Sequence, residues 1–327
     1  MKEIKTVGII GLGALGVLYA HLFTQGLGRE HVAVLADSER TRRYRSEGVY
    51  LNGQLCDFRY EDASQVTEPV DLLLFSVKFG ALRDAVETCR HLVGPDTTII
   101  SVLNGITSEE VLSQAFGSEK VVWCVAQKMS AVKVGNQTTI SPFGDLALGV
   151  PAGADPARLH ALTALLDRIH MDYELPEDIR RHMWSKLMVN TGCNQTAMVF
   201  ECGYGGLRQP EAKRIMVGAM REVMAVANAQ GIPLTEEDLQ GWVHVMEEFP
   251  ADGEPSMRQD GKAHRKSEVE LCRQDVLYDP QTAGGLLMAV APEDAPALLA
   301  ELTPCVPSAQ RIGTVRPYGG GKRIFLR

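Results

Sequence analysis

The chain has 327 residues, of which 45% are hydrophobic and 23% charged, and its formal net charge at pH 7 is -8. This length and apolar content suit two globular domains, each with its own core. The acidic balance offers no positive field for a phosphate polymer, so we expect no nucleic-acid partner.

The cysteines and the N-terminus indicate a reducing compartment. Seven cysteines are scattered without CxxC or Cys/His ligand spacing, which favours free thiols and predicts no metal site. Residues 1–8 lead straight into a strand-like pattern that lacks the regions of a signal peptide. Because no uninterrupted apolar stretch of about 18 residues occurs, we expect a cytoplasmic protein that does not span a membrane.

Residues 1–175 alternate short β-branched runs with helical patterns, which predicts an α/β fold with a Rossmann-type, doubly wound parallel sheet. Strands are predicted at residues 6–10, 31–36, 71–77, 97–103 and 120–125, and helices at 14–25, 81–91 and 108–116. Two additions interrupt the alternation: a hairpin over 49–60 that turns at Asn52-Gly53, and a strand pair over 138–148.

The first predicted strand leads directly into a glycine-rich loop at the start of a helix. Its residues are Gly11, Leu12, Gly13, Ala14, Leu15 and Gly16. In this order the first glycine makes the tight turn, the second lets backbone approach a pyrophosphate and the third lets the helix pack closely on the strand. The strand–loop–helix context therefore predicts a dinucleotide-binding loop.

Asp37 follows the second predicted strand, where an acceptor for the coenzyme ribose is expected. By its charge this carboxylate favours NAD, because it would repel the 2′-phosphate of NADP. Arg40, Arg42 and Arg43 follow at once and could bind that phosphate or line a solvated helix face. The residues alone leave the choice between NAD and NADP open.

Two polar residues end predicted strands. Lys78 follows the strand over 71–77, and Asn104 follows the strand over 97–103. Each also has a simple structural explanation: Lys78 could be an ordinary surface lysine, and Asn104 could be part of an Asn-Gly turn. Ligands of open α/β sheets bind beyond the carboxyl ends of the strands, so the two residues together favour a site at this edge.

Residues 176–275 show long helical periods and predict an all-helical second domain. Its helices are expected at 177–200, 210–230, 235–248 and 256–271. Residues 276–327 form a tail with a β-α-β-β pattern: an apolar run over 286–290, a helix over 293–302, and short strands near Ile312 and Ile324.

The first helix of this domain carries a polar stripe. Lys186, Asn190 and Asn194 are spaced i, i+4 and i+8 and so share one face of a largely apolar helix. A bound polar ligand would satisfy them, and so would solvent or other backbone. Further on, Ser256 and Gln259 predict a capping box, although a serine hydroxyl there also suits a substrate carboxylate. Glu268, on the same helix, has the appearance of an ordinary exposed side chain.

As an ordered set these motifs resemble the ketopantoate reductase (2-dehydropantoate 2-reductase) family over about residues 5–271. The set comprises GLGALG at 11–16, SVK at 76–78, LNG at 103–105, WSKLMVN at 184–190 with Asn194, PSMRQD at 255–260 and KSEVE at 266–270. The resemblance implies hydride transfer from a nicotinamide to the C2 carbonyl of 2-ketopantoate, which yields pantoate for coenzyme A synthesis. A small 2-oxo acid is then the substrate, NADP is the family's usual coenzyme, and a homodimer is possible.

The resemblance also implies roles for individual residues. Lys186 matches the family's catalytic lysine, a general acid that protonates the developing alkoxide. Asn190, Asn194 and Ser256 match substrate-binding residues, and Glu268 matches a glutamate at the junction of coenzyme and substrate. Lys78 and Asn104 match residues beside the nicotinamide ribose, and Asn104 also reaches the substrate.

The sequence departs from the family in three places. Asp37 stands where many members have a basic residue, and Tyr204 stands where some have a substrate-binding asparagine. The tail, over about 50 residues from Leu277, resembles the C-terminal end of selenophosphate synthetase and lacks that enzyme's nucleotide-binding half. Two alternatives therefore stay open: a reductase of another 2-oxo or β-keto acid, and a non-catalytic dinucleotide-binding protein whose tail serves an interaction.

Overall fold

The computed structural model describes residues 3–262, together with Pro296, Ala300, 316–318 and 321–323. Residues Met1–Gly284 and Gly285–Arg327 form two compact units. In the second unit, strands Arg316–Tyr318 and Gly321–Arg323 pair antiparallel, and Pro296 and Ala300 are helical. Glu268 and most of the predicted tail lie outside the described residues.

A parallel sheet forms the centre of the first unit. Its strands are β1 (Val7–Ile10), β2 (Val32–Ala36), β5 (Arg59–Asp62), β6 (Leu72–Phe75) and β7 (Thr98–Ser101). They pair in the order β5-β2-β1-β6-β7, and all neighbours are parallel. Parallel strands of this kind are apolar on both faces because helices cover both sides. The predicted α/β class and parallel sheet are confirmed.

Helices cover this sheet on both faces. They are α1 (Ala14–Leu27), α2 (Ser38–Glu47), α3 (Leu82–Cys89), α4 (Ser108–Phe116) and α5 (Ala157–Arg168). Leu72 and Leu74 of β6 belong to the apolar cluster that includes Phe23 of α1, whereas Leu73 and Phe75 belong to the opposite cluster. The side-chain alternation of one buried strand thus divides the core into two layers. The helices predicted from the sequence include neither α2 nor α5.

The hairpin predicted at Asn52-Gly53 is confirmed. Strands β3 (Tyr50–Leu51) and β4 (Gln54–Leu55) pair antiparallel, and both turn residues have positive φ, 49° and 80°, as such tight turns require. The predicted C-terminal end of the hairpin is wrong, because residues 59–60 belong to β5 and pair with β2.

The strand pair predicted over 138–148 is also wrong, because its two strands belong to different sheets. Strand β10 (Gln137–Ile140) pairs with β9 (Ala131–Val134) and β3. Strand β11 (Asp145–Gly149) pairs with β8 (Trp123–Gln127) and with β12 (Tyr173–Glu174). Likewise, the strand predicted over 120–125 is not a full member of the parallel sheet, since only a bridge between Val121 and Ile99 joins it to β7. An alternating sequence pattern predicts a strand, but it does not determine which other strand it pairs with.

Between residues 177 and 262 the structure has five helices: α6 (Ile179–Val199), α7 (Tyr204–Leu207), α8 (Pro210–Ala229), α9 (Glu236–Glu248) and α10 (Ser256–Lys262). The helices predicted over 177–200, 210–230 and 235–248 are confirmed. Arg181 of α6 donates two hydrogen bonds of 2.6 Å to the Asp238 carboxylate of α9, which fixes these two helices. No helix in the described part of the chain is both long and apolar enough to cross a membrane.

Helix α6 packs tightly against α8 at Gly192. A Cβ built there would lie 2.6 Å from Met220 Cγ and 2.9 Å from the Met216 backbone oxygen. We expect Gly192→Ala to lower the free energy of unfolding by about 1–2 kcal/mol, because overpacking against backbone outweighs the gain in helix propensity. Gly218→Ala on α8 is the matched control, since nothing lies within 4 Å of its added Cβ.

The Gly218→Ala control should raise the unfolding free energy by roughly 0.5–1 kcal/mol, the intrinsic helix preference of alanine over glycine. Urea denaturation of both variants measures the two changes. Equal effects of the two substitutions would show that the close helix contact has no energetic weight.

Candidate functional site

The glycine loop between β1 and α1 has the geometry of an anion-binding turn. Gly11 has φ +92°, and a Cβ at Gly16 would lie 2.0 Å from the Gly11 backbone oxygen. These two glycines are therefore required by the chain's own packing. At Gly13 an added Cβ would meet only the Ser76 oxygen, at 3.6 Å, and no described side chain caps the start of α1. The open space at Gly13 and the free helix N-terminus fit a coenzyme pyrophosphate.

Asp37 has a structural function at the end of β2. Its side chain caps α2 by accepting a 2.7 Å hydrogen bond from the Arg40 backbone N–H. Its second oxygen lies 3.5 Å from Arg40 Nε. The carboxylate that was expected to meet the coenzyme ribose is thus partly neutralised by its own helix.

Lys78 and Asn104 lie beyond adjacent strands, β6 and β7, and both are exposed. Because β1 lies next to β6 in the same parallel sheet, the glycine loop opens at the same edge. The backbone N–H of Ser76 bonds to the Ile10 oxygen and holds the two strand ends together. The structure thus brings the loop, Lys78 and Asn104 to one end of the sheet, as predicted.

Lys186 projects from α6 onto strand β8. Its Nζ donates a hydrogen bond to the backbone oxygen of Ala126. The first turns of α6 pack on β8 and β11 through Ile179 and Met183, which contact Val125 and Ala147, and this packing sets where the lysine points. Burial lowers the pKa of Lys186 to about 8, while the Cys124 thiol nearby acts in the opposite direction.

The asparagine stripe reaches α10, although not in the way the capping motif predicts. Asn194 Oδ1 accepts hydrogen bonds from the Met257 backbone N–H at 3.2 Å and from Ser256 Oγ at 3.4 Å. Ser256 is the first residue of α10, and Gln259 bonds to the Glu254 oxygen, so the predicted capping box is wrong. The cap comes from Asn194, a residue 62 positions away. Asn190 lies one turn before it on the same face of α6.

Tyr204, the second departure from the family pattern, supports the segment before α10. Its ring meets Phe249 edge to face, with centroids 4.9 Å apart, and its backbone N–H bonds to the Gly253 oxygen at 2.9 Å. Burial raises the pKa of Tyr204 to about 12. Tyr204 therefore positions the chain that leads to Ser256.

Sequence reasoning missed a buried carboxyl group beneath Asn104. Glu109 of α4 is 0% exposed, and its Oε2 accepts a 2.9 Å bond from Ser108 Oγ. Ser101 Oγ donates to Ser108 Oγ at 2.8 Å and accepts from the Leu103 N–H at 3.3 Å. This chain of hydrogen bonds fixes the backbone just before Asn104. An SEE triplet at a helix start predicts exposed glutamates, so no sequence signal marks Glu109.

Cys124 of β8 links this carboxyl group to the lysine electrostatically. Burial raises the pKa of the Cys124 thiol, Glu109 raises it further, and Lys186 lowers it. Burial also raises the pKa of Glu109, to about 8. At neutral pH we therefore expect a neutral Glu109, a neutral Cys124 thiol and a protonated Lys186.

An open groove of about 680 Å³ lies elsewhere, beside the edge strand β5. Arg29, Arg45 and Tyr60 are among the residues that line it. None of the predicted site residues within the described part of the chain lines this groove, so its size does not identify it as the site.

Two family models match most of the chain. The model described as Ketopantoate reductase PanE/ApbA matches residues 7–151, and the model described as Ketopantoate reductase PanE/ApbA C terminal matches residues 178–277. The similarity of the tail to selenophosphate synthetase remains a prediction.

Individual relatives and solved structures are similar over the same region. The 2-dehydropantoate 2-reductase of Vibrio cholerae is 25% identical over 268 residues, which are 80% of this chain and 86% of the relative. That of Streptococcus pyogenes is 22% identical over 272 residues, 81% and 88% of the two chains. The crystal structure of 2-dehydropantoate 2-reductase from Geobacter metallireducens superimposes with a TM-score of 0.72 at 23% identity and covers 86% of this chain and 95% of that one.

Two further solved structures share the fold. The dimeric ketopantoate reductase from Staphylococcus aureus gives a TM-score of 0.69 at 21% identity and covers 85% of this chain and 94% of that one. A ternary structure of D-mandelate dehydrogenase with NADH and anilino(oxo)acetate gives a TM-score of 0.70 at 20% identity, with the same coverage.

The buried Glu109 should leave a signature in the pH dependence of stability. Its pKa rises from 4.5 to about 8 on folding, so between these values the folded chain keeps a proton that the unfolded chain loses. This group therefore makes the wild type less stable as pH rises through that range. Glu109→Gln mimics the protonated carboxyl and removes this loss. We expect the unfolding free energy of the variant, relative to wild type, to increase from pH 5 to pH 8 by on the order of a few kcal/mol.

Urea denaturation at the two pH values measures this difference. Glu222→Gln is the control, because Glu222 is an exposed glutamate of α8. Parallel stability curves for Glu109→Gln and wild type would contradict the buried, protonated state of Glu109.

Proposed function

This chain belongs to the ketopantoate reductase family, and from that premise we propose that it reduces 2-ketopantoate to pantoate with a nicotinamide dinucleotide, as an oxidoreductase of pantothenate biosynthesis. The observation that carries the proposal is the position of Lys186, whose ammonium group is held on the Ala126 carbonyl at the start of a polar stripe formed with Asn190 and Asn194. A dinucleotide-binding protein without catalytic activity needs the glycine loop and has no need of a partly buried amine there.

Residues Gly11–Gly16 would hold the coenzyme, whose nicotinamide would supply the hydride for the C2 carbonyl. Lys186 donates a proton to the carbonyl oxygen as negative charge develops there. An ammonium group has three N–H donors, and the Ala126 oxygen takes one of them, which orients the other two. Partial burial strengthens the attraction between the cation and the developing alkoxide.

We assign the substrate carboxylate and hydroxyl to the other end of the polar stripe. Asn190 and Asn194 offer amide N–H donors there, and the bonds between Asn194 and α10 bring the Ser256 hydroxyl to the stripe. Lys78 and Asn104 are proposed to contact the nicotinamide ribose, and Asp37, as the cap of α2, is proposed to lie beside the adenine ribose. Glu268 stays a proposal that rests on the resemblance alone.

NADP is the proposed coenzyme. The capping bond from Arg40 to Asp37 occupies the carboxylate that would otherwise favour an unmodified ribose. The proposed domains are a Rossmann-type domain over residues 1–175, a helical substrate domain over 176–275 and a tail over 276–327. The proposed assembly is a homodimer.

A second candidate substrate class is another small 2-oxo acid. A D-mandelate dehydrogenase has the same fold, with a TM-score of 0.70. At 20% identity this similarity shows a shared fold and not a shared substrate. The decisive experiment measures coenzyme oxidation with NADPH and NADH across a panel of 2-oxo acids that includes ketopantoate and phenylglyoxylate. We expect the highest kcat/KM with ketopantoate and NADPH. No turnover of any 2-oxo acid would refute the proposal, and a strong preference for phenylglyoxylate would replace its substrate.

Lys186→Ala should lower kcat by roughly 10²–10⁴-fold, the usual contribution of a general acid, with the fold intact. Lys213→Ala is the control, because Lys213 lies on α8 and pairs with Glu247 at the surface. A variant that retains the wild-type rate would exclude the lysine from the mechanism.

The wild-type pH profile provides a separate test of the lysine. A general acid must be protonated, and the pKa of Lys186 is lowered to about 8, so kcat/KM should fall as pH rises above about 8. A plateau that extends to pH 10 would indicate an unperturbed lysine or a different acid.

A further inference from the structure

A lysine outside every sequence motif lies at the coenzyme loop. Lys133 is on β9, in the four-stranded sheet β4-β3-β10-β9 that lies apart from the parallel sheet. Its Nζ donates a hydrogen bond to the backbone oxygen of Leu12. Leu12 is the residue between the first two glycines of the loop, so this ammonium group lies at the N-terminus of α1.

Lys133 adds positive charge to a region that other positive groups already influence. Lys133 is only partly exposed, and both burial and the positive charge of Arg43 lower its pKa, whereas the Cys56 thiol raises it. Helix N-termini carry a partial positive charge of their own. The charges of Lys133 and Arg43 and the partial charge of the helix N-terminus therefore repel one another in the free protein. A bound anion would be attracted to all three, which favours anion binding at this position.

Arg43 is the second cation that acts on this region. It is an exposed residue of α2, the helix that follows β2, and its guanidinium lies 5.6 Å from the centroid of the Tyr44 ring. Arg40, by contrast, is engaged with Asp37. Of the arginines that follow Asp37, Arg43 is the one whose charge acts on Lys133.

We propose that Lys133 and Arg43 form a phosphate-binding pair for the dinucleotide, with Lys133 moving from the Leu12 carbonyl to a phosphate oxygen when the coenzyme binds. This inference rests on the proposed function, and it names two residues that determine coenzyme affinity. The phosphate is either the 2′-phosphate of NADP or the pyrophosphate common to both coenzymes. Because Arg43 lies on the helix after β2, beside the expected ribose site, we assign the 2′-phosphate.

Calorimetric titration of NADPH and of NADH into the full-length protein, without any oxo acid, tests the pair directly. Lys133→Met keeps the length of the side chain and removes its charge. We expect it to raise the Kd for NADPH roughly 10- to 100-fold, as for the loss of a charge-assisted hydrogen bond, and to change the Kd for NADH less than threefold. It should also reduce the dependence of NADPH affinity on salt concentration.

Two further variants make the result interpretable. Lys213→Met removes the same charge from the surface of α8 and should leave both Kd values unchanged, and Arg43→Met should weaken NADPH binding even if Lys133→Met fails to fold. Equal weakening of NADPH and NADH would support the pair as a pyrophosphate ligand. If folded Lys133→Met and Arg43→Met bind both coenzymes with wild-type affinity, the phosphate-binding pair is wrong and the proposed function is unaffected. If the wild-type protein binds neither NADPH nor NADH, both the pair and the proposed function are wrong.

Discussion

The hydrogen bond from Lys186 to the Ala126 carbonyl is the interaction on which the rest of the site depends. It joins α6, the central helix of the C-terminal helices, to strand β8 beside the parallel sheet. A partly buried ammonium group is costly unless it is hydrogen-bonded, so this bond both permits the burial and fixes the direction of the amine. The packing of Ile179 and Met183 on β8 and β11 makes the geometry rigid.

The same burial gives the lysine its chemistry. An amine whose pKa is about 8 is protonated at neutral pH and still gives up its proton more readily than an exposed lysine. The neighbouring groups maintain this state without adding a charge, because Cys124 and Glu109 are both held neutral by burial. The hydrogen-bond chain from Glu109 to Leu103 also holds the backbone that presents Asn104. Glu109 therefore supports Asn104 as well as the uncharged surroundings of Lys186.

Sequence reasoning succeeded where local pattern determines structure. The glycine loop, the helix that follows it and the asparagine stripe of α6 depend on short-range spacing, and each is found as predicted. It failed where partners are distant in sequence: β10 and β11 join different sheets, and the cap of α10 comes from Asn194 rather than Ser256. Glu109 and Lys133 were missed for the same reason, since their neighbours Cys124 and Leu12 lie far along the chain and no motif contains them.

A crystal structure with NADP and pantoate bound tests the central claim most directly. The quantity to measure is the distance from Lys186 Nζ to the C2 oxygen of pantoate. We predict hydrogen-bond contact, about 3 Å, with the amine still bonded to the Ala126 carbonyl. A C2 oxygen bonded to a different side chain, with Lys186 turned into solvent, would contradict the account.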